Sequence, residues 1–155
     1  MRKASKRVPE TIKRWQRAAS RVRGSFRLCY VAGPFRAPTP WQVEQNVRRA
    51  EEWSVVVARA GWVPVCSHTM YRHFDELDGV HSEFWLGGTL ELLRRCDAVV
   101  FVPGWMYSKG SCGEYALGNK LGMPMWFPGP PDEEVTVGVL QSVMACWLLG
   151  QPKKT

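Results

Sequence analysis

The sequence predicts a doubly wound α/β domain built on a parallel sheet, and three observations carry that prediction. Short apolar runs alternate with longer amphipathic ones, as strands alternate with crossover helices. Two of the runs, at 28–32 and 97–103, end in loops containing glycine and proline, and an open α/β sheet holds its ligands outside the carboxyl ends of such strands. The chain has 155 residues, enough for one core and too few for two. Right-handed crossovers favour four or five strands in the order 2-1-3-4(-5), a flavodoxin- or Rossmann-like three-layer sandwich.

The elements follow in order. Residues 9–22 read as a short helix from Pro9, with Ile12, Trp15 and Ala19 along one side, broken at Gly24-Ser25. Phe26 to Ala32 is the first strand, feeding Gly33-Pro34. Thr39 then caps a helix with proline at its first position and Gln42 three residues after the cap. That helix is predicted to run to about Ala60, with Val43, Val47, Ala50, Ser54 and Val57 inward. Trp62 to Cys66 is a second strand. Residues 67–80, with His68, Tyr71, His73, Asp75 and Asp78, show no period and read as a long loop. A helix over Ser82–Cys96, weakened at Gly87-Gly88, leads into the strand Asp97–Pro103. A helix over Ser111–Gly122, a strand over Met123–Phe127 and an apolar helix over Glu133–Leu149 complete the chain.

Charge divides the chain in two. Residues 1–27 hold ten Lys/Arg and one acid, a net +9, whereas residues 28–155 hold eleven and thirteen, a net −2. We therefore separate a basic extension, 1–25, from an α/β domain, 26–150. The extension is either a solvated or partner-docking helix or an arm for nucleic acid. No apolar run reaches the ~18 residues of a membrane span, and no apolar stretch backs the basic N-terminus, so no membrane partner and a cytoplasmic location are expected. The five cysteines are odd in number and lack a C-x-x-C pair, against a disulfide framework or zinc site. His68 and His73 have no acids in register, and no metal or cofactor is expected.

The chemistry concentrates at two junctions. In the predicted order the loop at Gly33 and the loop Gly104–Gly110 face one crevice. Glu114 reads either as a nucleophile, since a carboxylate at an anomeric carbon can form a glycosyl intermediate, or as the partner of Ser111 in a capping box. Ser108, Lys109, Gly110 and Ser111 precede a helix, where backbone N–H groups favour an anion, although the P-loop spacing is absent. Gly33-Pro34 either lets backbone approach a ligand or makes a turn. Tyr30 either orients a carboxylate or belongs to the core, and Asp97 either borders the crevice or caps a junction. Cys112 has a helix-start position but no base partner.

Tyr30-Val31-Ala32-Gly33-Pro34, Asn46 and Ala50, Cys96-Asp97-Ala98-Val99, Gly104-Trp105, Ser108-x-Gly110, Glu114, Ala116 and Gly122-x-Pro124 resemble the nucleoside 2-deoxyribosyltransferase-like superfamily. The likeness spans roughly residues 26–127, is best in G-W-x-x-S-x-G-x-x-x-E, and is closest to a short bacterial and phage branch. It implies a flavodoxin-like fold that oligomerises, with Glu114 as nucleophile and Tyr30 as its positioner; Asp97, from its place at a helix–strand junction, is kept as a third catalytic candidate. Transferases of that superfamily have aspartate six residues before the glutamate, where this chain has Ser108. Its nucleoside 5′-monophosphate N-glycosidases have serine there, on the 5′-phosphate. Those hydrolases also have a catalytic aspartate eight residues before the position of Asp97, and here Thr89 replaces it, leaving the general acid unassigned.

The resulting expectation is cleavage of the N-glycosidic bond of a (deoxy)nucleoside or its 5′-monophosphate, by hydrolysis or deoxyribosyl transfer. The expected substrate-binding residues are Gly33, Pro34, Arg36, His68, Gly104, Trp105, Ser108, Lys109, Gly110 and Ser111. A non-catalytic module for a nucleotide or ADP-ribose-type ligand, or an NAD glycohydrolase, is the alternative. A homo-oligomer is expected from the resemblance and from the apolar stripe of Val139, Val143, Cys146 and Trp147.

Overall fold

Strands β1 (Leu28–Ala32) and β3 (Ala98–Phe101) are nearly continuous apolar runs, the composition of strands covered on both faces. They pair in parallel at the centre of a four-stranded sheet of order β2-β1-β3-β4, with β2 at Val63–Val65 and β4 at Met125–Trp126. The computed structural model describes residues 9–22, 26–72, 79–128 and 134–150. The order and the parallel sense are those the alternating pattern predicts. His73, Asp75 and Asp78 lie outside the described residues.

The period of two along each strand divides the core. Cys29, Val31, Ala98 and Val100 face one layer, formed by α2 (Pro40–Arg59) and α6 (Glu134–Leu149) through Ala50, Trp53, Val57 and Met144. Tyr30, Ala32, Val99 and Phe101 face the other, formed by α4 (Ser82–Arg94) and α5 (Lys109–Lys120) through Leu93 and the partly buried Leu92 and Leu117. Helix α2 begins as its sequence predicts: Thr39 accepts the Gln42 N–H at 3.3 Å and proline occupies the first position. Its inward face is shifted from expectation, because Trp53 is buried while Val43 and Ser54 are only half-buried. The large indole claims the core position that a narrow Val/Ser stripe would leave thin.

The stretch read as a long loop after β2 starts instead with a single helical turn, α3 (Ser67–Met70), too short to show a period. It is braced from outside: Arg72 pairs with Glu44 and with Glu51 of α2, the latter at 3.4 Å. Helix α1 (Glu10–Val22) belongs to a unit separate from Arg27–Gln151. On it Ile12 and Trp15 are exposed, and Glu10 pairs with Lys13 and Arg17. Among the described residues no helix is long and apolar enough to cross a membrane.

Helix α6 corrects one sequence expectation. Trp147, placed on an interface stripe, instead packs inward on Trp62 and Trp126, with ring centroids 5.1 and 6.2 Å away. Val143 and Cys146 are exposed, and the side chain of Val139 lies outside the described set. The buried Trp62 also donates its indole N–H to the Met144 carbonyl at 3.1 Å, tying the entrance of β2 to α6. Trp62→Ala is expected to cost about 3–5 kcal/mol in a denaturant titration. Amide exchange is expected to accelerate in α6 well beyond any change in β1 and β3, because the indole is the hinge of that contact.

Candidate active site

A parallel sheet sends its chain outward at the carboxyl ends of its strands, and the order β2-β1-β3 puts three such ends side by side. A cavity of about 560 Å³ opens there. The β1–α2 loop supplies Gly33 to Arg36, α3 supplies Ser67 and His68, α4 supplies Trp85, Leu86 and Thr89, and the start of α5 supplies Ser108 to Ser111 and Glu114. Close approach of backbone fixes the central wall. A Cβ on Gly33 would lie 2.9 Å from Val102 Cβ, so only glycine lets the chain leave β1 this near to β3. Gly104, at φ 88°, makes the left-handed turn that redirects the chain from β3 into the 3-10 turn Trp105–Tyr107.

Helix α5 starts two residues earlier than the sequence suggests. Ser108, not Ser111, is its cap, accepting the Ser111 N–H at 3.4 Å. The capping-box reading of Ser111 and Glu114 is thereby overturned. Ser111 is the third helical residue and Glu114 the sixth, a turn and a half inside, and the spacing of three places both on the sheet-facing side. Both are buried. Among the described residues the Ser111 hydroxyl has no hydrogen-bond partner. The backbone N–H groups of Lys109 and Gly110 belong to the first turn, which the helix cannot satisfy from within.

Glu114 is 7% exposed, and its partner comes from β1 rather than from its own helix: Tyr30 donates its hydroxyl to Glu114 Oε1 at 2.6 Å. Ser67 Oγ lies 2.9 Å from the same Tyr30 oxygen. Burial pushes the Glu114 carboxyl up to about 7, while the Tyr30 hydroxyl and the neighbouring His68 favour its ionised form. Burial, and then the Glu114 charge, raise Tyr30 well above its ordinary value, so it remains a donor. His68 Nε2 is 3.0 Å from the Gly33 carbonyl and 3.1 Å from that of Pro34. Two carbonyls can only accept, so Nε2 carries a hydrogen. Burial holds this imidazole below its usual range while the Glu114 charge and the two carbonyls oppose that shift, and the ring clamps the β1–α2 loop.

Gly33, Pro34, Arg36, His68, Ser108, Lys109, Gly110 and Ser111 all line the cavity, and Tyr30 stands behind it on Glu114. Asp97 is not brought there. It stands at the opposite, amino end of β3, accepting the Leu28 N–H at 2.8 Å and pairing with Arg27 at 3.3 Å, which corrects its catalytic assignment. Gly104 and Trp105 are also outside the lining: Trp105 packs on Phe101, Tyr115 and Phe127. Sequence reasoning missed Ser67, Trp85 and Leu86 as wall residues. The order 2-1-3 already put the end of β2 beside that of β1, so Ser67 carried a usable signal. Nothing local marked the α4 residues.

Residues 27–127 match the model of a family described as "Domain of unknown function (DUF7768)". No curated protein matches the chain.

The buried carboxyl sets a pH signature on stability. Its folded value of about 7 exceeds the ordinary 4.5, so between those limits the native state holds more of the proton than the unfolded chain does. Stability from this group is therefore full below about pH 4.5 and falls as pH rises to about 7. Glu114→Gln keeps the neutral shape and loses that dependence. Chemical denaturation across pH 4–8 is expected to show the variant gaining on the wild-type protein with rising pH, by on the order of 3 kcal/mol at most. Parallel curves would mean that Glu114 titrates normally.

Proposed function

The chain belongs to the DUF7768 family, whose model covers residues 27–127, and with no activity attached to that description we propose one from the site. We propose that this protein cleaves the N-glycosidic bond of a (deoxy)nucleoside or nucleoside 5′-monophosphate, by hydrolysis or deoxyribosyl transfer, with Glu114 as nucleophile. The observation that carries this reading is a buried carboxyl held on a tyrosine hydroxyl at the wall of a cavity sized for a nucleotide. The resemblance of the strand-end motifs to the nucleoside 2-deoxyribosyltransferase-like superfamily supports it.

In the proposed reaction the ionised Glu114 attacks the anomeric carbon. The bond to the base breaks with its electron pair on the base, which takes a proton from water. Water, or an acceptor base in transfer, then displaces the carboxylate from the sugar. Tyr30 orients the attacking group and moderates its charge, and burial makes that charge effective against an oxocarbenium-like transition state. Thr89 is assigned no proton transfer; its hydroxyl donates to the Leu86 carbonyl at 2.9 Å and acts on Tyr30. The first turn of α5, with Ser108, Lys109 and Ser111, is the place for a 5′-phosphate, and Arg36 lines the same cavity. A homo-oligomer through the flank of α6 that exposes Val143 and Cys146 is part of this proposal, and light scattering tests it.

The decisive experiment incubates the protein with nucleosides, 5′-nucleotides and NAD and follows free base by chromatography. Release of base is expected, and Glu114→Gln should lower it at least about a thousandfold. Ligand binding with no base released from any substrate would replace the enzyme with a binding module. Because attack needs the carboxylate, kcat/KM is expected to rise with pH and level off above about 7. A profile flat from pH 5 to 8 would contradict Glu114 as nucleophile.

For a nucleotide substrate, removal of the 5′-phosphate is expected to lower kcat/KM strongly, since binding energy remote from the reacting bond is used in the transition state. Equal turnover of nucleoside and 5′-monophosphate would exclude the anion site at α5 and favour transfer between nucleosides.

A further inference from the structure

Tyr30 has one hydroxyl hydrogen, with Glu114 Oε1 at 2.6 Å and Ser67 Oγ at 2.9 Å, and the Thr89 hydroxyl also acts on its oxygen. An ionised carboxylate has no hydrogen to give. When Glu114 is ionised, the tyrosine hydrogen must therefore go to it, and the second bond exists only if Ser67 donates to the tyrosine oxygen. The result is a chain of two hydroxyls, both dipoles directed at the carboxylate, running from α3 across β1 to α5. Every member is buried, with Tyr30 at 0%, Ser67 at 7% and Glu114 at 7% exposure, so little of the chain's surface is open to water.

The backbone holds Ser67 in place. The Ser67 carbonyl takes the Tyr71 N–H at 3.0 Å, and the preceding Cys66 carbonyl takes the Thr69 hydroxyl at 2.9 Å. The hydroxyl is thus delivered by a closed helical turn at the end of β2 rather than by a free loop.

We propose that Ser67 is a positioning residue that acts on Glu114 through Tyr30: it holds the Tyr30 hydroxyl hydrogen on the carboxylate and so keeps Glu114 ionised and oriented at the cavity. Protonation of Glu114 reverses the chain, the carboxyl donating to Tyr30 and Tyr30 to Ser67. Only hydroxyls serve in both directions. Bonds to the charged acceptor are the stronger set, so the relay favours the ionised form. Among the described residues the other titratable groups facing Glu114 are Cys66 and His68 beside it, with Arg36, Tyr71, Tyr107 and Lys109 on the cavity wall, and a Ser67 variant retains all of them. The inference deepens the reading of Glu114 as nucleophile, yet it is tested without substrate, so lack of turnover and lack of a relay are separate results.

The experiment is a carbon-13 NMR titration of the Glu114 carboxyl in the full chain, its signal identified by its loss in Glu114→Gln. Ser67→Ala is expected to move the titration midpoint upward by roughly half a pH unit. In a Tyr30→Phe background the same substitution is expected to move nothing, since the connection is gone. An unchanged midpoint in Ser67→Ala overturns the proposal, and so does an equal move with and without Tyr30, which would show that Ser67 acts by packing. Should Ser67→Ala not fold by circular dichroism, Ser67→Cys, close in size and a weak donor, is expected to give the upward move, and an unchanged midpoint there overturns it equally. If base release is observed, the acidic limb of kcat/KM is expected to follow the NMR midpoint.

Discussion

A carboxyl group buried at the junction of β1 and α5 is the constraint around which this site is organised. Isolated, an ionised glutamate at 7% exposure would be prohibitive. The Tyr30 hydroxyl at 2.6 Å makes it tolerable, and Tyr30 can reach it only because β1 and β3 are neighbours. The hydrogen bond therefore depends on strand order: in a sheet that separated these strands, α5 would lead its glutamate elsewhere. Burial lifts the titration of the group to about 7, the range in which a carboxyl can change state during a reaction.

Its surroundings are built from backbone as much as from side chains. Gly33 lets the chain pass against Val102, and the carbonyls of Gly33 and Pro34 both receive the His68 N–H. His68 thus has a structural duty, with burial holding it below its usual range. Ser111 is different in kind. Its hydroxyl is buried and, among the described residues, without a hydrogen-bond partner, a cost on the order of 1–3 kcal/mol that packing alone gives no reason to accept. That cost stands one turn before Glu114, beside the α5 N–H groups on which a phosphate is proposed.

The core and the site divide the aromatic residues between them. Trp62, Trp126 and Trp147 close the α6 side, while Phe101, Trp105, Tyr115 and Phe127 form a second cluster beside β3. Trp105 belongs to that second cluster, so the Gly-Trp pair shapes the exit from β3 through Gly104 and a packed indole rather than by touching a ligand. Trp85, absent from any motif, is the tryptophan that lines the cavity.

By itself the sequence determined the layered α/β class and the Thr39 cap, which follow from local period and capping chemistry, and the strand order, which follows from handed crossovers. The meeting of Tyr30 with Glu114 was implied by the family resemblance and the adjacency of the β1 and β3 ends, and tertiary structure makes the bond. The sequence also located the loops at Gly33 and at Ser108–Ser111, since glycine and small polar residues mark the ends of strands. Tertiary structure alone decided the rest. Whether Ser108 or Ser111 caps α5 depends on where the 3-10 turn after Gly104 leaves the chain, and both serines satisfy the local rule. Asp97 was misplaced although it opens the predicted strand 97–103, and in a parallel sheet the first residue of a strand lies at the amino end, away from a crevice at the carboxyl ends. Its carboxylate answers Arg27 and the Leu28 amide at the far end, a pairing across about seventy residues of chain. Ser67 and Trp85 came to the cavity by the packing of α3 and α4 on neighbouring elements, and no spacing within a single segment encodes a contact made between segments.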